Sequence, residues 1–96
     1  MNKRVFISGP ISGVTDFKKN FSEAAKLIEK MGDTPYNPAV MDLGEDAMPA
    51  DYLIECLAEL LYSDGIYFLP GAEESKGSLI ERAFAEYANI PEVSYE

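Results

Sequence analysis

Residues 4–13 read R-V-F-I-S-G-P-I-S-G, and the change of character inside this stretch decides the fold. Arg4 to Ser8 is a short β-branched and aromatic run that stops at Gly9-Pro10, the pattern of a buried strand. Gly9 to Thr15 then forms a loop, and Asp16 is placed to cap the helix that follows. In that helix Phe21, Ala24, Ala25, Ile28 and Met31 recur at helical spacing until Gly32 closes it. A weak strand is expected over Asp33 to Tyr36. Pro35 cannot donate to a ladder, so this strand belongs at a sheet edge. Asn37 to Met48 is irregular, with Asn37-Pro38 as a turn signal.

Pro49 suits the first turn of a second helix, whose apolar stripe is Leu53, Leu57, Leu60 and Leu61. Ser63-Asp64-Gly65 ends it. Ile66 to Leu69 (I-Y-F-L) is the clearest strand and stops at Pro70-Gly71. A polar loop, Ala72 to Lys76, leads to a third helix carrying Leu79, Ile80, Ala83, Phe84 and Tyr87 as its expected apolar face. Asn89 ends that helix, and Pro91 to Tyr95 can supply a last strand. Strands and helices therefore alternate. The expectation is an α/β fold, a three-layer doubly wound parallel sheet of four to five strands in the order 2-1-3-4.

The 96 residues make one domain, and a 47% hydrophobic fraction excludes disorder. No apolar run is long enough to span a membrane, and the N-terminal stretch does not read as an export signal. With a single cysteine and no histidine, an internal disulfide, a zinc site and Ser-His or Cys-His catalysis are all unexpected. A reducing cytoplasm is the expected location. The net charge of −9 is uneven: residues 1–30 hold six bases against three acids, and residues 31–75 hold ten acids and no base. Such a field repels phosphate backbones, so nucleic-acid binding is not expected. The acidic middle reads as a solvated face or, alternatively, as a nucleic-acid-mimicking or cation-binding surface.

In a sheet of order 2-1-3-4, ligands bind outside the carboxyl ends of the first and third strands. The segments there are Gly9–Thr15 and Pro70–Ser78. The first is neither a P-loop nor a dinucleotide fingerprint, since its glycines are spaced G-x-x-x-G. In the second, Ser75, Ser78 and Glu81 are three apart and share one side of a helix start. Two readings of Glu81 remain open. It faces the crevice, or it folds back on Ser78 in a capping box of the form Ser-x-x-Glu.

F-I-S-G-P-I-S-G near the start, Y-N-P at residues 36–38 and S-D-G-I-Y-F-L-P-G-A-E-E-S-K-G-S-L-I-E-R-A at residues 63–83 together resemble the nucleoside 2-deoxyribosyltransferase superfamily. The similarity spans nearly the whole chain and is strongest to short bacterial and phage-borne members of unknown function. The resemblance implies a flavodoxin-like sheet. It also implies that Glu81 is a nucleophile that attacks the anomeric carbon of a deoxynucleoside, forming a glycosyl-enzyme that passes to a second base or to water. By the same resemblance Ser75 contacts the 5′ end or phosphate of the substrate, the loop bearing Ser8, Gly9, Pro10 and Ser12 closes over the sugar, and Phe6, Asn37, Gly77 and Ser78 complete the substrate site. No cofactor or metal is implied.

This chain departs from the superfamily at several positions. Phe6 stands where active hydrolases carry a tyrosine that orients the nucleophile, and Cys56 stands where an aspartate acts as general acid. Asp51, on the same helix as Cys56, is a conceivable replacement. Pro10 and Ser12 replace phosphate-binding residues, and Ala72 replaces a tryptophan. The expected function is cleavage or exchange of the N-glycosidic bond of a small-molecule nucleoside or nucleotide. The alternatives are a catalytically impaired nucleoside- or metabolite-binding module and a small phage-derived interaction protein. Self-association into a homo-oligomer is expected under each. Tyr87 and Tyr95 are candidates for that contact, although core packing is the commoner fate for a tyrosine placed like Tyr87.

Overall fold

The computed structural model describes residues 2–95. Strand β1 (Arg4–Ser8) leads to helix α1 (Phe17–Lys30), β2 (Thr34–Tyr36), a 3-10 turn at Pro38–Val40, α2 (Pro49–Leu61) and β3 (Gly65–Phe68). A second 3-10 turn at Ala72–Glu74 precedes α3 (Lys76–Tyr87). The three strands form an all-parallel sheet in the order β2-β1-β3, so the fold is mixed α/β with the first strand central.

Alternation along β1 explains the layers, because successive side chains of a strand point to opposite faces. Val5 and Ile7 face α1 and pack with Phe21, Ala24 and Ile28. Phe6 faces the other way and packs with Leu60 of α2 and Ala85 of α3, alongside Ile66 of β3. Helices therefore cover both faces. Ser8 ends the strand on the Phe6 side, a fully buried position that no apolar residue occupies.

Three expectations about elements change. The segment Pro91–Tyr95 is not a strand: it meets β3 in a single parallel bridge, Ile66–Glu92, held by Ile66 N–H to Pro91 O and Val93 N–H to Ile66 O. Beyond Val93 the chain leaves the sheet edge, and Tyr95 packs against the α1-side core while its hydroxyl donates to Asp33 at 2.7 Å. Tyr87 reverses the expectation in the other direction, being 85% exposed. Finally, α3 turns its apolar residues outward. Its buried side chains are Ser78, Glu81 and Ala85, whereas Leu79, Ile80, Ala83 and Tyr87 are exposed and Phe84 is half-buried.

Asp16 occupies the N-cap position of α1 without capping it through its side chain. Asp64 lies at the opposite end of the sheet from the crevice, where its carboxylate accepts from Arg4 N–H at 2.9 Å. Among the described residues no helix is long and apolar enough to cross a membrane.

Candidate active site

The carboxyl ends of β1 and β3 each run into a tight loop, and the two loops touch. Gly71 adopts φ +88°, a left-handed conformation that side chains disfavour, with Pro10 Cγ 3.4 Å from where a Cβ would stand. A cleft of about 430 Å³ opens between them. Pro10, Ile11, Ser12 and Val14 form one wall, and Gly71, Glu74, Ser75 and Gly77 form the other. Of the expected substrate-binding residues, Pro10, Ser12, Ser75 and Gly77 thus meet at one cleft. No Cβ-blocking atom lies within 4 Å of Gly77, so the start of α3 is open on that side.

Ser75 caps α3, its Oγ accepting from Ser78 N–H at 3.4 Å. The capping box between Ser78 and Glu81 does not form. Ser78 is already the third helical residue, and its buried hydroxyl has no hydrogen-bond partner among the described residues. Glu81 is therefore free to point inward, and it does. It is 8% exposed, and Ser8 Oγ donates to its Oε1 at 2.6 Å. Glu81 stands one turn along α3 from Gly77, about 6 Å in axial rise, and does not itself line the cleft.

Burial pushes the Glu81 carboxyl up to about 7, with the Ser8 hydrogen bond opposing the rise. Desolvation disfavours the charged form, while a donated hydrogen bond favours it. A buried acid poised near neutrality is the property expected of a group that gives, takes or attacks. Its Oε2 makes no side-chain hydrogen bond among the described residues and is not among the sealed, unpartnered atoms.

Other expected positions take different roles. Phe6 is fully buried and stacks on Tyr36, with centroids 5.5 Å apart and planes 13° from parallel, so it is a core residue and not a substrate contact. Ser8 positions Glu81, and its buried hydroxyl is occupied by that bond. Gly9 is required by packing: a Cβ there would come within 2.7 Å of Leu69 Cδ1. Asn37 spends its Oδ1 on Ala39 N–H at 2.9 Å, capping the 3-10 turn.

The acid opposite Glu81 is also different from expectation. Asp51, the conceivable replacement general acid, is exposed at the start of α2, where it accepts from Met48 N–H at 2.7 Å, and it does not line the cleft. Cys56 is half-buried on the Phe6 side of the sheet. Desolvation, then the nearby Glu81 charge, push its thiol up to about 12. It stays protonated across the physiological range.

Tyr36 was not anticipated as part of this region. It is the strand neighbour of Phe6, and desolvation followed by charges at Cys56, Glu59 and Glu55 raises its hydroxyl to about 12. The Y-N-P motif was the signal that contained it. Among the described residues no group of three His, Cys, Asp or Glu side chains converges as a metal site.

The sequence profile of a family described as "Domain of unknown function (DUF4406)" matches residues 3–94. No curated protein and no solved structure matches the chain.

Proposed function

We propose that this chain, which belongs to the DUF4406 family, processes small-molecule nucleosides by cleaving or exchanging the N-glycosidic bond. The observation that carries the reading is the Glu81 carboxyl, buried at the carboxyl end of the central strand and held through one oxygen by Ser8. The motif resemblance to the nucleoside 2-deoxyribosyltransferase superfamily supports the same assignment. It also supports reading the Ile66–Glu92 bridge as the remnant of a fourth strand in a flavodoxin-like sheet of order 2-1-3-4.

In this reading the ionised Glu81 attacks C1′ of the sugar through Oε2 while Ser8 holds Oε1. The C1′–N bond breaks, its electron pair leaves with the base, and the base takes up a proton from water. Water or a second base then attacks C1′ from the opposite side and restores the free carboxylate. The sugar enters by the cleft beside Ser75 and Gly77 and reaches inward one turn along α3 to Oε2, which is not among the sealed, unpartnered atoms. Acidic surroundings favour an uncharged nucleoside over a nucleotide, because ten acids and no base lie between residues 31 and 75. The compartment that fits a free thiol and a nucleoside ligand is the cytoplasm.

A second reading, a nucleoside-binding module without turnover, is favoured by one specific observation. The side chain at the position where the superfamily carries its general acid is the Cys56 thiol, which at about 12 is a poor proton donor to a leaving base. Incubation with 2′-deoxynucleosides, with and without an acceptor base, separates the two. Base release that Glu81→Ala abolishes supports the enzyme. Thermal stabilisation by nucleosides without their consumption supports the binder.

A further inference from the structure

On the α1 side of the sheet, a hollow of about 400 Å³ opens beside β3. Its floor is Tyr67 and Leu69, which pack with Val5, Ile7 and Phe21. The sheet itself therefore separates the hollow from the Ser8–Glu81 pair on the Phe6 side. Pro10 and Pro70 close the end nearest the loops, and α1 forms the remaining wall.

The α1 wall follows from spacing. Asn20, Glu23, Ala24 and Leu27 stand at i, i+3, i+4 and i+7, one face of a helix. Ala24 is buried and Leu27 half-buried, whereas Asn20 and Glu23 are exposed. The hollow thus has an apolar bottom and a polar rim, at a volume within the range of small-molecule sites. Its floor is also fixed before any ligand arrives. The Tyr95 ring lies 5.7 Å from that of Tyr67, tilted by 55°, and the Tyr95 hydroxyl is tied to Asp33 at 2.7 Å.

Charge and shape select the ligand. Glu23 is the one ionic side chain that lines the hollow. It forms no ion pair among the described residues, although Lys19 and Lys26 are its helical neighbours. Its carboxylate is therefore open to N–H donors, and a planar pair of donors meets a carboxylate in two parallel bonds. Asn20, one turn before it, adds an amide that both donates and accepts. Below the rim, the Tyr67 ring and the prolines present apolar surface that suits another ring. An anionic ligand would meet Glu23 as a like charge.

We propose that this hollow is a second small-molecule site, which takes a flat aromatic ring with a cationic N–H edge: an amidinium or a protonated amino-heterocycle. The cationic edge bonds to Glu23, and the ring lies against Tyr67, Leu69 and Pro70. The proposal does not rest on the nucleoside reading, since only Pro10 is common to this hollow and to the cleft beside Ser75.

Titration of the nitrogen-15-labelled protein with benzamidine, followed by two-dimensional amide NMR, tests it. Benzoate serves as a probe of the same shape and opposite charge. Benzamidine is expected to move the amides of Glu23, Leu27 and Leu69 saturably and to leave those of Ser75 and Gly77 in place. Glu23→Gln, at an exposed position, is expected to weaken that binding about tenfold, the worth of a charge-assisted hydrogen bond. Glu29→Gln, exposed on the same helix but outside the hollow, is expected to leave it unchanged. The absence of a saturable shift overturns the proposal, as do equal binding of benzoate and shifts centred on Ser75 and Gly77. So does a Glu23→Gln protein that binds benzamidine as the wild type does, or an equal loss in both variants.

Discussion

Ser8 and Glu81, 73 residues apart in the chain, meet in the interior through a 2.6 Å hydrogen bond between hydroxyl and carboxylate. The pleat of β1 aims Ser8 at the same layer as Phe6, and the cap at Ser75 sets the phase of α3 that aims Glu81 back at it. One polar pair thereby ties the central strand to the helix that borders the cleft. It also costs stability, because a buried carboxyl is less favourable than a hydrophobic residue of similar size.

The first consequence is a pH-dependent stability with a definite sign. The folded protein holds the Glu81 proton up to about 7, whereas an ordinary glutamate loses it near 4.5. The contribution is therefore complete below about 4.5 and is lost as pH rises through about 7. By linkage its full size is on the order of 3 kcal/mol. Glu81→Gln is expected to flatten this dependence and to melt higher than the wild type at pH above 8, read by thermal denaturation across a pH series. A wild-type stability that climbs through this window for want of any Glu81 effect, with the variant tracking it, contradicts the assignment.

Removing the donor moves the titration. Ser8→Ala withdraws the hydrogen bond that favours the carboxylate, so the Glu81 midpoint should rise further above its present value of about 7. Carbon-13 NMR of the labelled carboxyl reads this directly. Any base release should shift its pH profile in the alkaline direction by the same interval. A purely structural serine would lower the melting temperature and leave the midpoint where it was.

Gly9 tests the packing of the loop. A Cβ there would stand 2.7 Å from Leu69 Cδ1 and 2.8 Å from Leu69 Cβ, and the second of these atoms cannot swing away. Gly9→Ala should cost roughly 1–3 kcal/mol in chemical denaturation, the range for overpacking. A change within a few tenths of a kcal/mol would mean that the loop yields freely.

Ser78 is the converse case. Its hydroxyl is buried without a partner among the described residues, a state that costs free energy in the unliganded protein. Ser78→Ala should therefore leave the free protein as stable as the wild type or more so, by up to about 1 kcal/mol. A loss of more than that in thermal or chemical melts would show that the hydroxyl has a partner in solution.

Much of this was legible from residue patterns, and the failures share a physical cause. Phe21, Ala24 and Ile28 recur at helical spacing and are the buried face of α1. Ile66, Tyr67 and Phe68 read as a strand and lie in β3. On α3 the same logic pointed the wrong way. Periodicity assigns the apolar side inward, but this helix buries Ser78 and Glu81 and leaves its apolar row to solvent. The Ser-x-x-Glu spacing pointed to Ser78 as the cap, but the helix starts at Lys76 and Ser75 caps it instead. Phe6 and Tyr36 stack because their strands pair in that register, and register between distant strands is not written in either local sequence. The last segment carries strand-like residues, yet it meets the sheet in a single bridge, and the Tyr95 hydroxyl donates to Asp33, 62 residues away in the chain.

The central claim is that the Glu81 carboxylate forms a bond to a sugar. Intact-mass spectrometry of the protein quenched during incubation with a 2′-deoxynucleoside tests it most directly. A species heavier by one deoxyribosyl unit, mapped by proteolysis to Glu81 and missing from Glu81→Gln, is the predicted result. An unmodified mass throughout, with base release no faster than for Glu81→Gln, would contradict it.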